Sequence, residues 1–238
     1  MQAALHLIYP PQCILCDCLV TSDFGLCPTC WRETPILIGL VCDLCGAPLA
    51  GEDPGHPLHC DDCLQVARPW RQGRAAMLYE GGAREMVLKL KHGDRQDLVR
   101  PAVNMMLRAG RGLFDPDMVV APIPLHWRRF LLRRYNQAAL LSRGIARAAG
   151  LRHCPDLLQR IKATPKMENA ERDARFSQLS EAIRLTPRHR RLIFGRSVLL
   201  VDDVMTSGAT FHAGTEACLA AGARDVRVLA LCRVAKSG

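Results

Sequence analysis

Two groups of residues in this 238-residue chain have types and spacings that could do chemistry. The first is VLLVDDVMTSGAT, Val198–Thr210, where four apolar residues run into Asp202 and Asp203 and then into a polar turn around Ser207 and Gly208. Unpaired N–H groups where a turn opens a helix, three hydroxyls (Thr206, Ser207, Thr210) and a glycine that admits close backbone approach make a phosphate cradle. Two carboxylates would repel that phosphate. A sugar phosphate removes the conflict: Asp202 and Asp203 accept hydrogen bonds from ribose hydroxyls, while Thr206, Ser207, Gly208, Ala209 and Thr210 hold the 5′-phosphate. The chain has no G-x-x-x-x-G-K-[ST] phosphate loop. A receiver-type acid pair is not expected, because it needs a whole domain downstream and 35 residues follow Asp203 here.

The second group is cysteine. Nine of the twelve cysteines lie between Cys13 and Cys63, and eight of these fall in C-x-x-C pairs: Cys13/Cys16, Cys27/Cys30, Cys42/Cys45 and Cys60/Cys63. Two intervening residues let both sulfurs of a tight turn face one ion, and two such knuckles complete a closed tetrahedral zinc site that supplies folding energy rather than catalysis. The separations suggest two sequential ribbons, with interleaved pairing of the knuckles left open. A disulfide framework does not suit a chain without a secretory signal. Cys18, His56 and His59 are not needed as ligands.

Those groups need elements to position them. Val198–Val201 lacks polar alternation and so reads as a strand covered on both faces. Gly208 to Ala221 suits a crossover helix, and Val226–Cys232 the next strand. Met118–Ala121 is a further strand, stopped by Pro122. Helical faces are expected at Leu98, Ala102, Met105 and Ala109, and at Ala138, Leu141, Ile145 and Ala148, the latter helix closed by Gly150. Strand, helix, strand in that order predicts an α/β fold with a doubly wound, mostly parallel sheet. In such sheets ligands bind beyond the carboxyl ends of the strands, where Asp202 and Asp203 stand.

Charge divides the chain in the same place as cysteine. Residues 1–70 carry a net charge of −6 and residues 71–238 one of +15. The expected organisation is therefore a small N-terminal zinc-ribbon domain over 1–70 and a basic α/β domain over 71–238. No apolar run approaches the roughly 20 residues that span a bilayer, and the apolar stretch Ala3–Tyr9 is too short for a signal peptide. The chain reads as cytoplasmic, with no membrane insertion. Arg and Lys in this number favour polyanions, and Trp127 and Tyr135, set among Arg128-Arg129 and Arg133-Arg134, could stack on bases.

The stretch Val198–Thr210 resembles the phosphoribosyl-diphosphate (PRPP) signature of type I phosphoribosyltransferases. Joined to a double zinc ribbon, the whole chain resembles the ComF family, linked to DNA uptake in natural competence. Further points of likeness are Tyr9-Pro10-Pro11 before Cys13, Tyr79-Glu80-Gly81, Leu90-Lys91, Pro124-Leu125-His126, Tyr135-Asn136-Gln137 and Thr164-Pro165. The resemblance implies a type I phosphoribosyltransferase fold, two structural zinc ions, and PRPP bound with Mg²⁺. It implies ribose contacts from Asp202 and Asp203, phosphate contacts from Thr206 to Thr210, and a site mouth that includes His126, Arg133, Asn136 and Gln137. Residues 160–180 would form a loop over the site, with Arg172 and Arg175 as phosphate contacts. Arg134 stands where the family often has glycine, and Met167 and Gln178 where Gln and Asn are frequent. Expected partners are PRPP or a related sugar phosphate, single-stranded DNA, and proteins of the uptake machinery. The alternative is an active transferase that moves ribose 5-phosphate from PRPP to a nitrogen acceptor.

Overall fold

Buried strands need partners on both edges, and Ser197–Met205 (β6) has them. It lies at the centre of a five-stranded parallel sheet of order β1-β7-β6-β2-β3. The other strands are Gln72–Leu78 (β1), Val119–Pro122 (β2), Arg152–His153 (β3) and Asp225–Arg233 (β7). The computed structural model describes residues 9–92, 95–125, 135–161 and 182–235. Strand β6 continues four residues beyond Val201, because β7 continues beside it, with Val204 opposite Cys232 and Met205 opposite Arg233. The acid pair therefore lies within the strand rather than after it.

Side chains on a strand alternate between faces, and the two cores of the molecule follow that alternation. Leu199 and Val201 face one core with Val120, Leu229 and Leu231; Val198 and Leu200 face the other with Val119, Val228 and Ala230. Helices Gly81–His92 (α3), Val99–Ala109 (α4) and Gln137–Ala149 (α5) cover the first face. The long helix Ala209–Ala220 (α7), the short helix Arg190–Ile193 (α6) and an antiparallel hairpin of Leu158–Arg160 (β4) with Ile183–Leu185 (β5) cover the second. The expected helices are present with shifted stripes. Val103 and Met106 are buried where Met105 and Ala109 are half-buried, and Ala146 is buried where Ala148 is exposed. Gly150 closes α5 in the left-handed conformation, φ 66°.

The cysteine-rich segment is two repeats of one motif. In each, a knuckle opens a hairpin and the second knuckle starts a helical turn: Pro28–Glu33 (α1) after Cys27, and Asp61–Gln65 (α2) after Cys60. The repeats pack on opposite faces of the sheet. Cys13, Cys27 and Cys30 join the core under α3, whereas Cys42, Cys45 and Cys63 join the core that holds Trp70 and Phe211. The linker between them covers the free edge of β1, with Leu37 N–H bonding to Ala76 O and Leu78 N–H to Pro35 O, both at 2.9 Å. An edge strand that would template further pairing is thus closed by the chain's own ribbon linker.

The residue after the first knuckle of each ribbon is left-handed: Asp17 at φ 60° and Gly46 at φ 70°. Gly46 has a second constraint, since a Cβ there would lie 2.4 Å from Ala75 N. Gly39 is also left-handed, φ 87°, but faces open space. Gly39→Ala should therefore cost only about 1 kcal/mol of backbone strain. Gly46→Ala should cost upwards of about 3 kcal/mol, because the ribbon must also lift off β1. Chemical denaturation of the two variants measures the difference; equal losses would contradict the close docking.

Candidate functional site

Alternation along β6 sends Asp202 and Asp203 to opposite faces. Asp203, 9% exposed, turns to the α3 side, where Lys91 Nζ pairs with its Oδ2 at 3.2 Å. Asp202 turns to the other side, where its Oδ1 accepts from the Asp203 amide at 2.8 Å and the positive charge of Arg160 acts on it. Burial, and then the negative charge of Asp203, push the Asp202 carboxyl up to about 8, against the pull of the Asp203 amide, Lys91 and Arg160. A carboxyl in that range exchanges its proton near neutrality, as groups at ligand sites often do.

Beyond the acids, Thr206 is exposed, Ser207 is half-buried, and Gly208 takes φ 82° as the first turn of α7 begins. Ser207 Oγ accepts from Ala209 N at 3.4 Å at the start of this 12-residue helix, whose first turn carries no acidic residue. The turn is braced from behind by Arg68 Nη1 on Ser207 O at 2.8 Å and Arg233 Nη1 on Thr206 O at 2.6 Å. What the arrangement can do follows from its parts: a free-amide turn and helix terminus for an anion, with hydrogen-bond-accepting carboxylates one strand segment away.

The residues expected at the mouth separate into three groups. His126 and Arg133 lie outside the described residues, as do Trp127, Arg172, Arg175 and most of the 160–180 loop. Asn136 caps α5, its Oδ1 accepting from Ala138 N at 3.0 Å while its Nδ2 donates to Ile123 O at 3.3 Å; it ties the end of β2 to that helix. Gln137 is 1% exposed and donates to Leu90 O at 3.3 Å, so it braces α3 beside Lys91. Tyr135 reinforces the same carbonyl through its hydroxyl, at 2.8 Å.

Sequence reasoning passed over Lys91, Arg68 and Arg233 as site residues. Lys91 sits in a motif with a family likeness, which was its one signal. The two arginines carry no local pattern, since each reaches the turn only through the tertiary fold.

The eight cysteines form two four-sulfur groups in sequential pairing, Cys13/Cys16/Cys27/Cys30 and Cys42/Cys45/Cys60/Cys63, each with its sulfurs within 4.8 Å of one another. The sulfurs of Cys16 and Cys27, and of Cys45 and Cys60, approach to 3.6 Å, which suits tetrahedral zinc with Zn–S bonds of about 2.3 Å. The Cys30 amide holds the Cys27 thiol down to about 6, as a thiolate ligand requires. Cys18 stands beside the first group, its thiol pushed up to about 12 by hydrogen bonds with Cys16 and Cys27, and is not one of the four clustered sulfurs. A third cluster, Cys154, Asp156 and His189, also has metal-type side chains. Arg188 already pairs with Asp156, and together with His189 holds its carboxyl at about 2, so this cluster satisfies itself as an ionic clamp below the β4–β5 hairpin.

A double zinc ribbon domain model matches residues 4–64. The DNA utilization protein YhgH of Salmonella typhi is 31% identical over 235 residues, covering 95% of this chain and 99% of that protein. Competence protein F of Haemophilus influenzae is 26% identical over 229 residues, 93% of this chain and 96% of that protein. Competence protein ComFC of Bacillus subtilis is 27% identical, with 88% and 89% covered. The chain belongs to the ComF family. Solved structures similar to this ComF chain include the APRTase of Giardia lamblia, at 18% identity and TM-score 0.35, covering 60% of this chain and 68% of that one. They also include the glutamine PRPP amidotransferase of B. subtilis, at 17% and 0.39, where 59% of this chain matches 30% of that enzyme. The ComF chain joins a double zinc ribbon at its N-terminus to an α/β fold built on a five-stranded parallel sheet. Among the described residues, no helix is long and apolar enough to cross a membrane.

Elemental analysis should find two zinc ions per chain. Cys18→Ser should leave the count at two and Cys45→Ser should reduce it to one; a loss in Cys18→Ser would contradict the ligand assignment. Asp202 gives a pH test. Its folded carboxyl, at about 8, holds a proton that the unfolded chain releases near 4, so stability falls as pH rises between those values. The slope is at most about 1.4 kcal/mol per pH unit. Asp202→Asn should therefore raise the melting temperature at pH 8 more than at pH 6. An equal shift at both would contradict the raised pKa.

Proposed function

We propose that this ComF-family protein binds a PRPP-type sugar diphosphate with Mg²⁺ at the carboxyl end of β6, in the service of DNA utilization. The observation that carries the reading is the pairing of a half-buried and a buried carboxylate, Asp202 and Asp203, with a turn whose Thr206 and Ser207 carbonyls are bonded to Arg233 and Arg68. In this reading Asp202 and Asp203 accept the ribose hydroxyls, and Thr206, Ser207, Gly208, Ala209 and Thr210 hold the 5′-phosphate. Mg²⁺ arrives with the diphosphate, and no residue of the chain is assigned to it. Lys91 releases part of its hold on Asp203 when ribose arrives, and Arg160 lies on the Asp202 side.

Single-stranded DNA is the second ligand of the proposal. The net charge of +15 over residues 71–238 favours a polyanion. A groove of about 500 Å³ between the first ribbon and α4 adds a stacking element, with Phe24 and Trp31 on one wall and Arg100, Asn104 and Arg108 on the other. Arg100 lies 4.8 Å over the Phe24 ring, and Trp31 is half exposed, so base stacking and phosphate pairing are available side by side. The role extends to partners in the uptake machinery through the family's competence members. The alternative, transfer of ribose 5-phosphate to a nitrogen acceptor, uses the same residues for positioning and electrostatic stabilisation.

Calorimetry with Mg²⁺–PRPP tests the reading. Asp202→Asn with Asp203→Asn should weaken binding at least tenfold while far-UV circular dichroism stays unchanged; unaltered affinity would remove the ribose role. Anisotropy of a labelled single-stranded oligonucleotide should show binding that weakens with salt and weakens again in Trp31→Ala. Binding indifferent to Trp31 would remove the groove. Diphosphate release with a panel of nitrogen bases would favour the transferase alternative.

A further inference from the structure

Two arginines hold the phosphate turn from behind, and both are anchored in the second zinc ribbon. Arg68 donates to Ser207 O at 2.8 Å, and Arg233 to Thr206 O at 2.6 Å and Met205 O at 3.4 Å. In a trans peptide the C=O and N–H point in opposite directions. Bonding the Thr206 and Ser207 carbonyls rearward therefore turns the N–H groups of Ser207 and Gly208 forward. Neither amide bonds to another described residue. Successive N–H groups aimed one way form an anion-binding concavity.

The fit behind the turn is close. Arg68 lies 5.4 Å over the Trp70 ring, and a Cβ on Gly208 would stand 3.0 Å from Arg68 Nη1 and 3.1 Å from the Trp70 ring. Glycine at this position thus serves the brace as well as the ligand side.

The anchors lie in the Cys42/Cys45/Cys60/Cys63 ribbon. Arg233, 2% exposed, places Nη2 3.7 Å from Asp62 Oδ2, inside the Cys60–Cys63 knuckle. Trp70 Nε1 donates to Leu44 O, inside the Cys42–Cys45 knuckle. Arg68 follows Cys63 by five residues and also reaches its sulfur. Four thiolates around one zinc carry a net charge near −2, which holds both guanidinium groups where they meet the turn.

We propose that the second zinc ribbon is a positioning clamp for the phosphate turn, acting through Arg68 and Arg233 on the Met205–Ser207 carbonyls to preset the anion-facing amides. The clamp gives the ribbon a part in ligand affinity in addition to its part in folding. The proposal rests on the sugar-phosphate reading of the turn, and its test keeps the two apart.

Hydrogen exchange by mass spectrometry on the full chain measures the clamp without any ligand. Arg68→Met should retain two zinc ions and leave exchange over residues 81–92 unchanged, yet speed exchange over 205–209 at least tenfold. Its affinity for Mg²⁺–PRPP should fall at least tenfold. Arg68→Lys, which keeps the charge and the contact with Trp70 but loses the fork, should recover part of both effects and stands in should the methionine variant lose zinc. Unchanged exchange over 205–209 would overturn the clamp whatever the ligand. Faster exchange with unchanged affinity would overturn its role in positioning. A wild-type protein with no affinity for Mg²⁺–PRPP would overturn the sugar-phosphate reading alone, and exchange would still decide the clamp.

Discussion

Two adjacent carboxylates on the central strand of a sheet covered on both faces impose the constraint around which the molecule is arranged. Burying a carboxylate is costly, and alternation along the strand sends the two to different surroundings. Lys91 pairs with Asp203 from α3, while Asp202, pulled less strongly by the Asp203 amide, Lys91 and Arg160, keeps its proton to about 8. In the proposed reading, ribose hydroxyls donate hydrogen bonds to both carboxylates.

The cationic side of the arrangement is equally divided. Lys91 belongs to the α3 face, Arg68 and Arg233 to the second ribbon, and each is fixed by an anchor away from the ligand. Leu90 O, which receives Tyr135 and Gln137, sets the backbone beside Lys91. Near the amino ends of the strands, Arg227 pairs with Asp115 at 2.6 Å and bonds to Leu113 O at 2.6 Å, which ties β7 to the loop before β2.

Much of this was legible in residue order. The strand Val198–Val201, the crossover helix and the strand Val226–Cys232 follow from apolar runs and a glycine, all local signals. The sulfur groups follow from C-x-x-C spacing, although only the fold chose sequential pairing. What stayed hidden depends on residues far apart in sequence. Nothing local announces that Gln137 packs inward onto Leu90 O, which follows from the helix that its neighbour Asn136 starts. Arg68 and Arg233 carry no local signal. Their meaning comes from the second ribbon packing across the sheet onto the Thr206–Gly208 turn, which no period or spacing encodes.

The central claim is that the strand end and its turn together recognise a ribose carrying a 5′-phosphate and a diphosphate. The most direct measurement is isothermal titration of the full chain with Mg²⁺–PRPP, set against Mg²⁺–diphosphate and ribose 5-phosphate separately. The account predicts saturable binding of PRPP at one site per chain, at least tenfold tighter than either fragment. Equal affinity for PRPP and diphosphate, or no heat with any of the three, would contradict it.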